Sequence, residues 1–336
     1  MYISTSSFYP ATFFAGNVLE IPKFHSWLKF KEWSDQCGPV FRFSVFGKQH
    51  YVLSTEKAAN DLLRDRGSIY SSRAELPAAG ILRGRNLFPV LLPVDPAKPE
   101  LTETWKKGRK FLHQNIGTPT LLAAHETMHD LESSRLVLDL LRFPRDYEQW
   151  YERYAAGIVF RLGYGKRVQT GKEPYVERSL RLLDVFENAL LPGAYLVDVF
   201  PALMHIPTFL APFKRYLLAN GADGRAFFKE LQDMVRREKD SSQAPPSLMN
   251  TFLEHQRDIA MSDAEGAALI GTMYGAGVGT TAAALMSFTL AMVLNPLWLQ
   301  HMQDELDKVV GSTRLPNTDD LELLPTVRAV VKETLR

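Results

Sequence analysis

The sequence predicts a mainly α fold with a small N-terminal β-sheet, and three observations predict it. Alternation of apolar and polar residues, the mark of a half-buried strand, is confined to the stretch before residue 54. From Leu101 onward nearly every segment repeats its apolar residues at helical spacing. One of those segments, Gly266 to Leu294, contains no Asp, Glu, Lys or Arg, which marks a helix apolar on all sides.

The elements follow in order. Val40 to Phe46 and Gln49 to Ser54 alternate across Gly47-Lys48 and read as a β-hairpin. A helix follows, with Ser54 as N-cap and Glu56 in its first turn, running to about Gly67. Residues 84–100 carry Pro89, Pro93, Pro96 and Pro99 and read as loop. Helical periodicity then covers 101–115, 119–141, 146–163, 174–190, 212–238, 247–258, 262–294, 296–310 and 325–336. Ser262-Asp263-Ala264-Glu265 is a capping box that starts the long apolar helix. Asn295-Pro296 ends that helix and begins the next, with proline at the first helical position, and Gly311 closes the latter.

Composition limits the function classes. The chain has 336 residues, 46% hydrophobic and 23% charged, enough for a substantial core. Lys plus Arg number 39 against 38 Asp plus Glu, so net charge argues neither for nucleic acid nor for an acidic partner, and no nucleic-acid partner is expected. The single cysteine, Cys37, excludes an internal disulfide and a cysteine-rich zinc site. Met1 to Leu19 holds an apolar patch at Phe13-Phe14 but no basic lead and no long apolar run, so neither a secretory signal nor an anchor is expected there.

Gly266 to Leu294 is long enough to span a bilayer, and Gly271, Gly275 and Gly279 have the spacing of a membrane helix-packing motif. Its glycines and threonines make it weakly hydrophobic, and the expectation is a buried core helix. Gly277 and Gly279 remove bulk, while Thr280 and Thr281 are placed to bond back to Ala276 and Gly277. The result expected is a notch with a hydroxyl at its edge. Gly275 to Gly279 follows no strand, which rejects a phosphate loop. Separately, His125-Glu126-Thr127-Met128-His129 matches a zinc-hydrolase pattern on a helix, with Glu148 or Glu152 as a third ligand on paper. A zinc hydrolase and a non-catalytic helical protein therefore stand as alternatives, metal content being the discriminator.

Several separated segments carry a family resemblance. They are Trp27-Leu28-Lys29-Phe30-Lys31-Glu32-Trp33, Cys37-Gly38-Pro39-Val40-Phe41, Ile69-Tyr70-Ser71-Ser72-Arg73, Trp105-Lys106-Lys107-Gly108-Arg109 and Tyr164-Gly165-Lys166-Arg167-Val168. To these add Ala276-Gly277-Val278-Gly279-Thr280-Thr281, Asn295-Pro296, Asp304 to Gly311, and Leu324-Pro325 through Lys332-Glu333-Thr334-Leu335-Arg336. In this order they resemble the cytochrome P450 family, the haem-thiolate monooxygenases, and most closely its fungal secondary-metabolite members.

The resemblance implies a single domain over 1–336 with an incomplete cytochrome P450 fold, stopping at the helix that carries Glu333 and Arg336. It implies haem as cofactor, with Trp105 and Arg109 toward a propionate, Thr280 and Gly277 at the oxygen site, and Glu333–Arg336 as a buried ion pair. It further implies an apolar substrate, an NADPH-cytochrome P450 reductase meeting Lys106, Lys107 and Lys110, and O2-dependent hydroxylation. The pocket loops are expected over Leu76 to Leu92 and Leu191 to Phe213, with Leu190 to Phe213 touching a membrane at most peripherally. The location implied is the cytoplasm or the cytosolic face of the endoplasmic reticulum. Three departures accompany the match. Gly279 stands where members carry an acidic residue; the loop Val94 to Glu103 differs in character; and the cysteine-ligand segment lies beyond Arg336, which implies a chain inactive as it stands, without a metal-ligating residue of its own.

Overall fold

A computed structural model describes every residue except 1–6, 9–14, 23, 85–91, 93, 95, 96, 119–124 and 192. Phe13-Phe14, Pro89, Pro93, Pro96 and the first turn of the helix expected from residue 119 lie outside the described residues. The chain divides into two compact units, Met1–Ala74 and Glu75–Arg336.

The first unit holds a three-stranded sheet of order β1-β2-β3. Its strands are β1 (Ser7–Phe8), β2 (Val40–Val45) and β3 (Lys48–Leu53), with β1 parallel and β3 antiparallel to β2. The hairpin turn is Phe46-Gly47, one residue earlier than its sequence suggests, because Val45 pairs with Lys48. Both turn residues have positive φ, 46° and 79°, as a tight turn between right-twisted strands requires. Helix α1 (Ser26–Cys37) supplies Trp33, which packs with Phe41 and Phe43 of β2. The next helix, α2 (Glu56–Ala59), is capped by Thr55 rather than Ser54, since the Thr55 hydroxyl accepts from the Ala58 N–H at 3.2 Å. It relaxes into a π turn at Asn60–Arg64 before the short α3 (Gly67–Tyr70), so the single helix expected here is broken.

The second unit is helical. Its elements are α4 (Pro77–Arg83), α5 (Pro99–Asn115), α6 (Glu126–Arg142), α7 (Tyr147–Tyr164), α8 (Pro174–Leu190) and α9 (Leu196–Val199). They continue with α10 (Pro212–Asp240), α11 (Leu248–Ile259), α12 (Asp263–Leu294), α13 (Pro296–Val309) and α14 (Pro325–Thr334). Proline opens α4, α5, α8, α10, α13 and α14, at the position where a missing N–H costs nothing. The capping box at Ser262 is formed as its sequence predicts: Ser262 N–H donates to Glu265 at 2.7 Å and Glu265 N–H to Ser262 at 3.3 Å. Burial raises the Glu265 pKa, but the bonds from Ser262 and Thr104 outweigh it and hold the carboxyl below its ordinary range. Glu305 of α13 accepts from the free N–H groups of Thr326 and Val327, both at 3.0 Å, and so caps α14.

The core of this unit forms around the first half of α12. Leu269, Ile270, Tyr274 and Val278 meet Phe160 and Tyr164 of α7, Phe228 and Leu231 of α10 and Phe252 of α11. On α10 the buried residues Leu217, Gly221, Gly224, Phe228, Leu231 and Val235 recur at alternating steps of four and three, one continuous seam. Glycines let the backbones close. A Cβ at Gly266 would lie 2.2 Å from the Phe252 ring, and one at Gly271 2.6 Å from Phe228. The second half of α12 differs: Leu290, Val293 and Leu294 are exposed, so the expectation of a helix buried throughout holds only for its N-terminal half. By length and composition α12 is the one candidate membrane span among the described residues.

Between α6 and α7 lies a buried ion cluster. Arg153, fully enclosed, reaches Glu132 at 2.8 Å and Asp139 at 3.1 Å. Gly157 makes the room, since a Cβ there would stand 2.8 Å from the Glu132 carboxylate.

Two outcomes test this packing. Gly271→Ala is expected to destabilise by ~1–3 kcal/mol through overlap with Phe228. Gly275→Ala, whose new methyl meets Leu183 at an ordinary 3.4 Å, is expected to be neutral or to gain up to ~1 kcal/mol of helix propensity; urea titration of the two variants reads the difference. Arg153→Ala leaves two carboxylates without their cation inside the protein, and a loss of ~3–5 kcal/mol is expected by the same measurement.

Candidate functional site

The functional side chains singled out from sequence fall on α5, α6, α12 and α14. On α12 the Thr280 hydroxyl donates to the Ala276 carbonyl at 2.6 Å, as the spacing predicts, whereas Thr281 forms no such bond. The notch itself is not built as expected. Gly277 and Gly279 face different neighbours: a Cβ at Gly277 would lie 2.6 Å from Val159 of α7, and one at Gly279 3.4 Å from the Glu187 carboxylate of α8. Gly277 is therefore a packing contact with α7, and it opens no space beside Thr280. Gly271, Gly275 and Gly279 likewise seat Phe228, Leu183 and Glu187 within the chain.

The opening beside Thr280 comes from another set of residues. Ala276, Thr280, Ala283, Ser287 and Leu290 are the exposed positions along the middle of α12. They recur at steps of four and three, so they form one stripe on one face. Four of the five are small, which makes the stripe flat, with the Thr280 hydroxyl near its more deeply packed end and the Ser287 hydroxyl two turns further on. This stripe was readable from spacing, but only the packing of α7, α8 and α10 on the other faces reveals which side stays open.

On α5, Trp105 and Arg109 share a face, with the guanidinium 5.7 Å from the indole centroid, a cation–π distance. Arg109 is exposed and forms no ion pair among the described residues. The helix is tied to the start of α12 by Thr104, whose hydroxyl donates to Glu265 at 3.1 Å, and to the end of α11 by Lys107, whose ammonium donates to the Ala260 carbonyl at 3.1 Å. Lys107 is thus partly used as a helix cap, while Lys106 and Lys110 point to solvent. From Glu265, where Thr104 docks, to Thr280 the helix rises roughly 22 Å.

An apolar cavity of about 240 Å³ lies between α4, α8, α10 and α12, lined by Leu82, Leu182, Gly221, Gly224, Phe228 and Ala267 among others. Gly221 sets its width, since a Cβ there would strike the Leu82 carbonyl at 2.3 Å.

Glu333 and Arg336 form their ion pair at 2.7 Å, with both side chains mostly exposed. The helix also ends at Thr334, leaving Arg336 just past it. His125 and His129 do adjoin on α6, and burial together with the nearby His125 lowers the His129 pKa. A neutral imidazole suits a metal, yet among the described residues no group of three His, Cys, Asp or Glu side chains converges, and Glu148 and Glu152 do not complete the set.

The chain's likenesses agree with the fold rather than with a zinc site. The family model for cytochrome P450 matches residues 7–336. A cytochrome P450 monooxygenase of Postia placenta, number 58, is 33% identical over 323 residues, which is 96% of this chain and 60% of that protein. The cytochrome P450 monooxygenase aneD of Aspergillus aculeatus is 30% identical over 325 residues, again 96% of this chain and 60% of the relative. The chain therefore spans about 60% of the length of these curated relatives. A mainly helical chain with a small N-terminal sheet, matched by the family's model almost from end to end, belongs to the cytochrome P450 family.

Proposed function

We propose that these residues form the oxygen- and substrate-facing part of a haem-thiolate monooxygenase that oxidises an apolar secondary metabolite. The observation that carries the reading is the flat open stripe of α12, a surface of mostly small side chains with the hydroxyls of Thr280 and Ser287, which suits the face of a planar macrocycle. The donor set fits the same group. Arg109 is exposed, forms no ion pair among the described residues and is steadied by the Trp105 ring, as a residue meeting an anionic propionate should be. When bound, haem supplies the redox centre for chemistry with O2, its reactivity set by the axial ligand.

The chain's own residues then have distinct tasks. Thr280 holds its proton on the Ala276 carbonyl, and releasing that bond turns the hydroxyl toward a ligand on the open face. The family's acidic residue is missing at Gly279, and the Glu187 carboxylate occupies the space beside it, a replacement acid held by α8. The apolar cavity at α4, α8 and α10 is the side from which an apolar substrate approaches. Lys106 and Lys110 offer an exposed basic patch to an acidic reductase that draws electrons from NADPH. Cys37, the single thiol, packs in the cluster of Trp33, Phe41 and Phe43, so the axial thiolate is assigned outside residues 1–336 and this stretch alone is read as inactive.

Haem titration of the 336-residue chain, followed at the Soret band, tests the reading. Saturable uptake is expected, weakened ~10-fold in Arg109→Gln, with no red-shifted thiolate band after reduction and carbon monoxide. Absence of uptake, or uptake indifferent to Arg109, sinks the cofactor assignment. Hydroxylation by this chain alone would overturn the placement of the thiolate.

Leu191, Leu196, Phe200, Phe209 and Leu210 are exposed within the segment between α8 and α10. Their apolar side chains favour peripheral contact with a bilayer such as the cytosolic face of the endoplasmic reticulum. In liposome flotation the chain is expected to float and to be stripped by carbonate. Replacing Phe209 and Leu210 by Ser is expected to reduce the floated fraction severalfold; an unchanged fraction contradicts this assignment.

A further inference from the structure

The cleft that α5, α6, α7 and α11 enclose is assigned no part in the oxidation. It measures about 440 Å³ and is lined by Asn115, His125, Arg161, Arg167 and Ser247 together with apolar residues such as Met128, Leu162 and Leu248, with no carboxylate in its wall among the described residues. Its floor depends on a special contact. Gly165 ends α7 in the left-handed conformation, φ 70°, and a Cβ there would lie 2.2 Å from the ring of Pro245. Only glycine lets that proline close the base of the cleft.

Its arginines lack anionic partners among the described residues, whereas Asn115 donates to the Phe111 carbonyl at 2.8 Å and Thr251 to the Ser247 carbonyl at 3.1 Å. Arg161 has a guanidinium nitrogen, Nη1, that is buried and has no hydrogen-bond partner. Neither Arg161 nor Arg167 forms an ion pair among the described residues. Glu238 of α10 does not line the cleft; Lys166 engages one of its oxygens, and the other is buried without a hydrogen-bond partner among the described residues. The Ser247 hydroxyl accepts from the Asn250 N–H at 3.2 Å, which leaves its own proton free to donate.

Helix ends do not account for this charge. The N-termini of α6 and α11 reach the cleft at His125 and Ser247, but so do the C-termini of α5 and α7 at Asn115 and Gly165. Their partial charges oppose one another. The positive character of the cleft is therefore that of its two arginines. A buried guanidinium N–H without an acceptor is unfavourable, and water satisfies the bond without neutralising the charge.

We propose that this cleft binds a phosphate-class oxyanion, with Arg161 and Arg167 as its charged ligands and Ser247 and His125 at its edge. A doubly charged oxyanion offers several acceptors to forked guanidinium donors, which is the arrangement arginine recognises best. The shared chemistry is the phosphate group, free or carried as a small phosphomonoester. The site involves no haem contact, so it stands or falls independently of the oxidase reading.

Calorimetric titration of the 336-residue chain at constant ionic strength supplies the test, with inorganic phosphate and glycerol 3-phosphate as separate probes and chloride as control. Saturable phosphate binding is expected, weakened at least ~10-fold in Arg161→Gln and in Arg167→Gln. Arg167 is exposed, so its variant is expected to keep the fold and the far-ultraviolet spectrum of the parent. Tighter binding of glycerol 3-phosphate supports the proposal with a phosphomonoester as ligand; equal or weaker binding supports it with free phosphate. No saturable heat, or phosphate binding unchanged in both variants, overturns it.

Discussion

The close approach of α12 to its neighbours is the constraint on which the rest of this structure depends. Five glycines in one helix cost roughly 4–5 kcal/mol in helix propensity relative to alanine. That cost is offset because Gly266 and Gly271 admit aromatic rings from α11 and α10, and Gly277 admits Val159 of α7, at distances that a methyl group would forbid. Dispersion contacts and exclusion of water at such short range repay several side chains' worth of burial. Every other feature of the helix, including which face remains open, follows from which faces these glycines close.

Polar devices then place the helix along its own axis. The capping box at Ser262 satisfies the first N–H groups, and the Glu265 carboxylate used there also receives the Thr104 hydroxyl of α5. One side chain thus ends a loop, begins the central helix and docks a neighbouring helix. Asp263 serves in the same way, accepting from Arg236 of α10 at 2.8 Å and from Gln256 of α11 at 2.9 Å. The fully enclosed Arg153 anchors a buried charge cluster, where two carboxylates of α6 meet one guanidinium of α7. Such a cluster fixes the register of two helices more than it adds stability.

Much of this was legible in the chain itself. The capping box, the proline starts and Gly311 at the end of α13 are local chemistry, set by residues within a few positions of one another. The Thr280 bond to Ala276 is local in the same sense. Less legible were features in which two solutions differ by one residue: Thr55 and Ser54 are both good caps, and Phe46-Gly47 wins over Gly47-Lys48 through the pairing of Val45 with Lys48. The single helix expected after residue 54 breaks into a π turn, a local irregularity that apolar periodicity does not report.

By itself the sequence determined the helical class, the position of nearly every helix, the apolar character of α12 and, through collinear motifs, the family. Those properties depend on periodicity and on neighbours a few residues away. Tertiary structure alone decided what the glycines are for, because the side on which a glycine faces acquires meaning only when another helix arrives there. It separated Gly277 from Thr280, placed Glu187 beside Gly279 and left the stripe from Ala276 to Leu290 open among the described residues. It also gathered Arg161, Arg167 and Ser247 around one cleft from segments far apart in the chain, a juxtaposition that no spacing in the sequence encodes.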